Sequence, residues 1–164
     1  MGINPADFRQ YVLRPTLNTL GQWSPSLENL LLGTAAQASQ LGSVLVGDHG
    51  LGVYQISHEQ HQRVWDTYFA FDPDLASTVR GLASQREFLI DPDRELAGNL
   101  NYATAIAWGV YAQHHAAIPT NPDDLTALAL CWCQYFNENP LEHPDTFLQH
   151  YPEPDCAPQK IRAA

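Results

Sequence analysis

Along this chain the apolar positions recur mostly at the three-to-four spacing of helices. From Ser24 onward, Leu27, Leu30, Leu31, Thr34, Ala35, Ala38 and Leu41 fall on one stripe that stops at Gly42. Behind Ser57, the residues Val64, Trp65, Tyr68 and Phe69 make an aromatic stripe that ends near Asp72-Pro73. Leu96, Leu100, Ala103, Ala107, Val110 and Tyr111 predict a long helix from Pro92 to about Ala116. Leu125, Leu128, Ala129, Trp132, Tyr135 and Phe136 predict another over Pro122 to Asn137. The plain reading of each stripe is core.

Helix starts are marked by a capping side chain followed by proline: Asn4-Pro5, Ser24-Pro25, Asp72-Pro73, Asp91-Pro92 and Asn121-Pro122. The first residue of each pair can accept from free backbone amides, and the second has φ preset for a first helical turn. Ser57-His58-Glu59-Gln60 adds a capping box in which Gln60 would reach back to Ser57. One stretch departs from the helical rule. Residues 43–56 hold Val44-Leu45-Val46, the Gly47-Asp48-His49-Gly50 turn and Leu51 to Ile56, a β-like excursion between two helices. The expectation is an all-α domain over residues 1–140 with this excursion, followed by a peripheral proline-rich tail over 141–164 containing one short helix near Phe147.

Composition narrows the function classes. The 164 residues suit one domain, and no apolar run approaches the ~20 residues that span a bilayer. The first ten residues have neither the basic start nor the apolar stretch of a signal peptide, so none is expected. Eighteen acidic and eight basic side chains give a net charge of -10, which repels phosphate backbones and disfavours nucleic acid as a partner. Cys131 and Cys133 lie two apart, about 200° around a helix, which denies them a shared disulfide or metal; with Cys156 they are expected to be buried or free thiols.

Several chemical signals are weak. His58 and His61 could chelate at i, i+3, but they miss the HExxH spacing and no third ligand is near in sequence, so no metal or cofactor is expected. His114-His115 suits a helix end. No GxSxG, P-loop or GxGxxG occurs.

A broader pattern carries more. Leu13-Arg14-Pro15-Thr16-Leu17 and Leu20-Gly21-Gln22-Trp23-Ser24-Pro25 precede the run from Glu28 to Gly42. Gly52-Val53-Tyr54-Gln55-Ile56 follows, then Asn101-Tyr102-Ala103 and Tyr135-Phe136-Asn137. Over about residues 10–140 this pattern resembles phage-encoded proteins of the lysozyme-like, lytic-transglycosylase superfamily. In that family a helix ends in Ala-x-Glu-Ser-x-x-Gly, a Gly-Leu-(Tyr or Met)-Gln segment follows, and a Tyr-Asn pair closes the groove.

The resemblance implies a lysozyme-like helical fold and a single glutamate that protonates the glycosidic oxygen of peptidoglycan. Here that position is Ala38, and Gln40 stands where the family often has histidine. A methyl group donates no proton, and losing a general acid costs about 10²–10⁴ in rate. By sequence the nearest substitute acids are Asp48 and Glu59. The resemblance assigns Tyr54, Gln55, Asn101, Tyr135 and Asn137 to a sugar groove; the competing reading is a polar network bracing the loop. The expectation is a structural protein of a phage virion, of tail or baseplate, assembled in the host cytoplasm and without catalysis. Its partners would be other virion proteins and peptidoglycan glycan strands. The alternative is a peptidoglycan-degrading lytic transglycosylase or lysozyme acting during cell-wall penetration, with the glutamate at 38 replaced.

Overall fold

The computed structural model describes residues 1–153, and they form an all-α fold. Cys156 and the rest of 154–164 lie outside the described residues. Asn4 caps α1 (Pro5–Phe8) by accepting from the amides of Ala6 and Asp7. The helix runs on through a π-helical turn, Arg9–Leu13, into α2 (Arg14–Thr19). The wide turn has a local cause. Pro15 has no N–H to give back to the preceding turn, and the Arg14 amide bonds the Arg9 carbonyl five residues behind it.

Ser24 caps α3 (Pro25–Ser39) through the Leu27 amide, as its Ser-Pro pair predicts. Leu30 and Leu31 are fully buried, and so are Thr34 and Ala35, with Leu32 and Ala36 nearly so. Each buried leucine contributes about 1.5–3 kcal/mol. After the loop over residues 40–57, Ser57 caps α4 (His58–Thr67) by accepting from the Gln60 amide. The expected capping box is only half formed, because the Gln60 side chain goes instead to the Phe136 carbonyl. Asp72 caps α5 (Pro73–Leu82) and Ser84 caps α6 (Gln85–Ile90).

The long helix expected from Pro92 to Ala116 is two helices, α7 (Arg94–Gly98) and α8 (Leu100–Ala112). Asn99 makes the break. It is extended (φ -131°, ψ 100°), its Oδ1 accepts from the Tyr102 amide, and its Nδ2 bonds the Leu82 carbonyl and Glu95. Every residue from Tyr102 to Tyr111 is buried, so α8 is the central helix, packed by α2, α3, α4, α5 and α7.

The last long helix also starts later than Pro122. Asn121 closes a turn on the Asp123 amide, and Asp124 caps α9 (Leu125–Tyr135). The short helix expected near Phe147 is α10 (Pro144–His150), but it is not peripheral. Phe147 is 0% exposed, its ring tilted against those of Trp132 and Tyr151 and pressed onto Gly33 of α3. α10 thus packs on α3 and α9, with Phe147 at the centre of the contact. No helix among the described residues is long and apolar enough to cross a membrane.

Candidate functional site

The candidate site forms where α3 ends. Three successive residues there, Gln40, Leu41 and Gly42, adopt left-handed φ values of 50°, 56° and 86°. Two of these are not glycine, a conformation that the surroundings must hold in place. Ser39 does so: its Oγ donates to the Val53 carbonyl at 2.6 Å and accepts from the Gly42 amide at 2.8 Å. The loop is thereby folded back over the helix end.

Within the loop, pairing is limited to two antiparallel bridges, Val46 with Leu51 and Leu51 with Ile56, which is the small β-like excursion expected over 43–56. Gly52 lies at φ 77°, and a Cβ there would sit 1.8 Å from the Leu96 carbonyl oxygen, so only glycine lets the loop approach α7. Val53, Tyr54 and Ile56 turn inward and are buried, while Val44, Leu45 and Val46 stay exposed.

Between this loop, the end of α3 and the segment after α9 lies a cavity of about 370 Å³. Ala38 is on its wall, together with Gln37, Asp48, Tyr54, Gln55, Gln60 and Asn137. Trp132 and Phe136 give the lining an apolar part, and Glu138, Asn139 and Glu142 add further polar groups. Four of the residues singled out from the sequence, Ala38, Tyr54, Gln55 and Asn137, therefore converge on one cavity, joined by Asp48.

The remaining sequence candidates lie elsewhere. Asn101 is exposed on α8, accepts from Thr16 Oγ1 at 3.2 Å, and borders a separate depression with Tyr11 and Arg94. Tyr135 is half-buried against His114 and does not line the cavity. Glu59 is exposed in the first turn of α4, also outside it. The reason is geometric: the break at Asn99 and the helical phase of α9 direct neighbouring residues, Tyr102 and Phe136, inward instead.

The polar atoms of the lining are mostly committed to the protein. The Thr104 hydroxyl donates to the Leu100 carbonyl, so the Tyr54 hydroxyl donates to Thr104 at 3.0 Å. Burial pushes the Tyr54 phenol well above the usual tyrosine range, which removes it as a proton donor to a ligand. Gln55 Nε2 donates to the carbonyls of Gly52 at 2.7 Å and Val44 at 3.2 Å, bracing the loop. Asn137 exchanges hydrogen bonds with the Asn139 backbone at 2.8 and 2.9 Å.

The sequence reading missed Glu142, which accepts from Gln37 Nε2 at 3.0 Å, one residue from Ala38. Its position in the supposed tail hid it. Cys131 and Cys133 are both free on α9, and burial pushes the Cys131 thiol up to about 11, far from a nucleophile's range.

A second polar cluster lies at the start of α4. Asp93 takes His58 Nδ1 at 2.6 Å and His61 Nδ1 at 2.7 Å, one carboxylate oxygen to each. His61 Nε2 meets the Tyr102 hydroxyl at 2.8 Å, and Trp65 Nε1 donates to that same hydroxyl. Indole only donates, so the Tyr102 proton points to His61 and the neutral His61 carries its proton on Nδ1. The i, i+3 histidines share a carboxylate that pins the start of α4 to the turn before α7.

No family model, no curated protein and no solved structure matches this chain.

Proposed function

We propose that the chain is a lysozyme-like domain that keeps a glycan groove and lacks the proton donor needed to cleave what it binds. It would serve as a non-catalytic component of a phage virion, in the tail or baseplate. One observation carries this reading. Ala38, at the position of the family's catalytic glutamate, lines the same cavity as Tyr54, Gln55 and Asn137, three of the residues that the resemblance assigns to the sugar groove. The cavity is within the range that holds an organic ligand. A methyl group on its wall can contact a sugar but cannot protonate a glycosidic oxygen. The virion placement rests on the resemblance, since a fold does not fix a function.

A second reading, a peptidoglycan-degrading lysozyme or transglycosylase with a relocated acid, is favoured by the carboxyl groups of Glu142 and Asp48 on the same cavity. Peptidoglycan clearing separates the two. The parent protein is expected to clear nothing, and Ala38→Glu to gain activity of about 10²-fold or more over background. Clearing by the parent would replace the first reading with the second. If neither protein clears and neither binds peptidoglycan, the groove reading fails.

A further inference from the structure

The cavity's charge is one-sided. Asp48, Glu138 and Glu142 line it, and among the described residues the lining contains no lysine or arginine and one imidazole, that of His49. Glu138 is offset by Arg63 at 2.6 Å. Asp48 has no ion-pair partner among the described residues, and Glu142 is met only by the neutral amide of Gln37. An independent feature points the same way. Gln60 is only 4% exposed, yet it lines the cavity, with its Nε2 fixed on the Phe136 carbonyl at 3.2 Å. Its Oε1 has no hydrogen-bond partner among the described residues, so this cavity-lining side chain keeps an uncommitted acceptor. The pocket thus offers two carboxylates and an amide oxygen, and asks its ligand for donors and positive charge.

Resting on the reading of the cavity as a glycan groove, we infer that its preferred ligand is a glycan with free amino groups, a glucosamine-containing strand rather than a fully N-acetylated one. An N-acetyl group brings one N–H and no charge. A protonated amine brings three donors and a full charge, which Asp48 and Glu142 can take directly. The apolar side formed by Trp132 and Phe136 suits the non-polar face of the sugar ring. The chain's net charge of -10 adds a long-range attraction for such a strand.

The test is calorimetric titration of the whole chain with a glucosamine hexamer and with its fully N-acetylated counterpart, at about pH 5.5, where amines are protonated and exposed carboxylates are ionised. The parent should bind the amino form about tenfold more tightly, and that preference should shrink in high salt. Glu142→Gln and Asp48→Asn keep the shape of each side chain, and each should weaken the amino form about fivefold or more while sparing the acetylated one. Asp74→Asn removes an exposed carboxylate on α5, outside the cavity, and should change nothing. Equal affinity for the two hexamers overturns this inference and leaves the glycan groove standing. A loss in Asp74→Asn as large as in Glu142→Gln also overturns it, by exposing diffuse polycation binding. Binding of neither hexamer removes the inference together with the groove reading on which it rests.

Discussion

The contact between Gly33 and Phe147 decides whether the C-terminal helix α10 belongs to the core. A Cβ on Gly33 would lie 2.1 Å from Phe147 Cζ and within 2.8 Å of two further ring carbons. Phe147 is 0% exposed and packs against Trp132 and Tyr151 with centroids 5.7 and 5.9 Å away. Removing a buried phenylalanine ring costs about 3–5 kcal/mol. Tyr151, beside it, also accepts from Arg9 Nη2 at 3.2 Å, so collapse of the contact would loosen the first helix as well. For a domain of this size, Phe147→Ala should lower the melting temperature by roughly 10 °C. Gly33→Ala should cost about 1–3 kcal/mol in the parent through overpacking, partly offset by alanine's better helix propensity. In a Phe147→Ala background the ring is gone, and the same change should be neutral or stabilise by up to about 1 kcal/mol. The sign reversal is the diagnostic, read from urea denaturation of the four proteins by circular dichroism. If Phe147→Ala melts within about 1 °C of the parent, or Gly33→Ala costs the same in both backgrounds, α10 is a strap on the surface and the packing argument fails.

Two further predictions concern protons. Burial holds the His61 imidazole below its ordinary value of 6.5 despite the pull of Asp93, whereas the hydrogen bond and charge of Asp93 raise His58. The stability contributed by neutral His61 is therefore present above about pH 6.5 and lost as the pH falls through that value towards its lower native pKa; that of His58 is present below about pH 6.5 and lost as the pH rises through its raised one. Nuclear magnetic resonance titration should find the two rings titrating in that order, with His61 protonated on Nδ1 when neutral; titration of both near 6.5 would contradict the network. Glu28, 3% exposed, is raised by burial but held below its ordinary 4.5 by hydrogen bonds from Arg14, Trp23 and Arg9. Arg14 is half exposed, so Glu28→Gln should cost only about 1–2 kcal/mol at pH 7. Because the native pKa lies below the unfolded one, that difference should hold above about pH 4.5 and vanish as the pH falls through the native value. A gap between parent and variant in urea that stays constant from neutral to strongly acid pH would sink the assignment.

Elements whose signals are local were legible in the sequence. Asn4, Ser24, Ser57 and Asp72 cap the helices that their own spacing predicts, because a cap needs only its neighbouring amides. The break at Asn99 was not legible, since it depends on the Leu82 carbonyl seventeen residues away. Phe147 was misread for the same reason: its partner Gly33 carries no side chain and leaves no mark in an apolar pattern. Ala38, Tyr54, Gln55 and Asn137, singled out by the resemblance, line one cavity, and three of them share one loop or its supporting helix end. Asn101 and Tyr135 lie outside that cavity because a one-residue change in helical phase turns a side chain about 100°. Gln60 was read as a capping partner, and only the approach of Phe136 reveals it as a wall of the cavity.

The carboxylates that surround Ala38 also bear on what a glutamate would do there. A new carboxyl in a cavity already holding Glu142 and Asp48, beside the apolar side formed by Trp132 and Phe136, meets like charge and desolvation together. Both raise its pKa, the condition that a general acid needs near neutral pH. The same two effects make the ionised form costly to the fold. Ala38→Glu should therefore be less stable than the parent at pH 7 and recover towards it as the pH falls, because the folded state holds the proton more tightly than the unfolded one. Paired thermal melts at pH 4 and pH 7 read this directly. A gap that stays the same on acidification would mean that the side chain at 38 reaches solvent instead of the cavity, and would remove the geometric basis for reading Ala38 as a wall of that cavity.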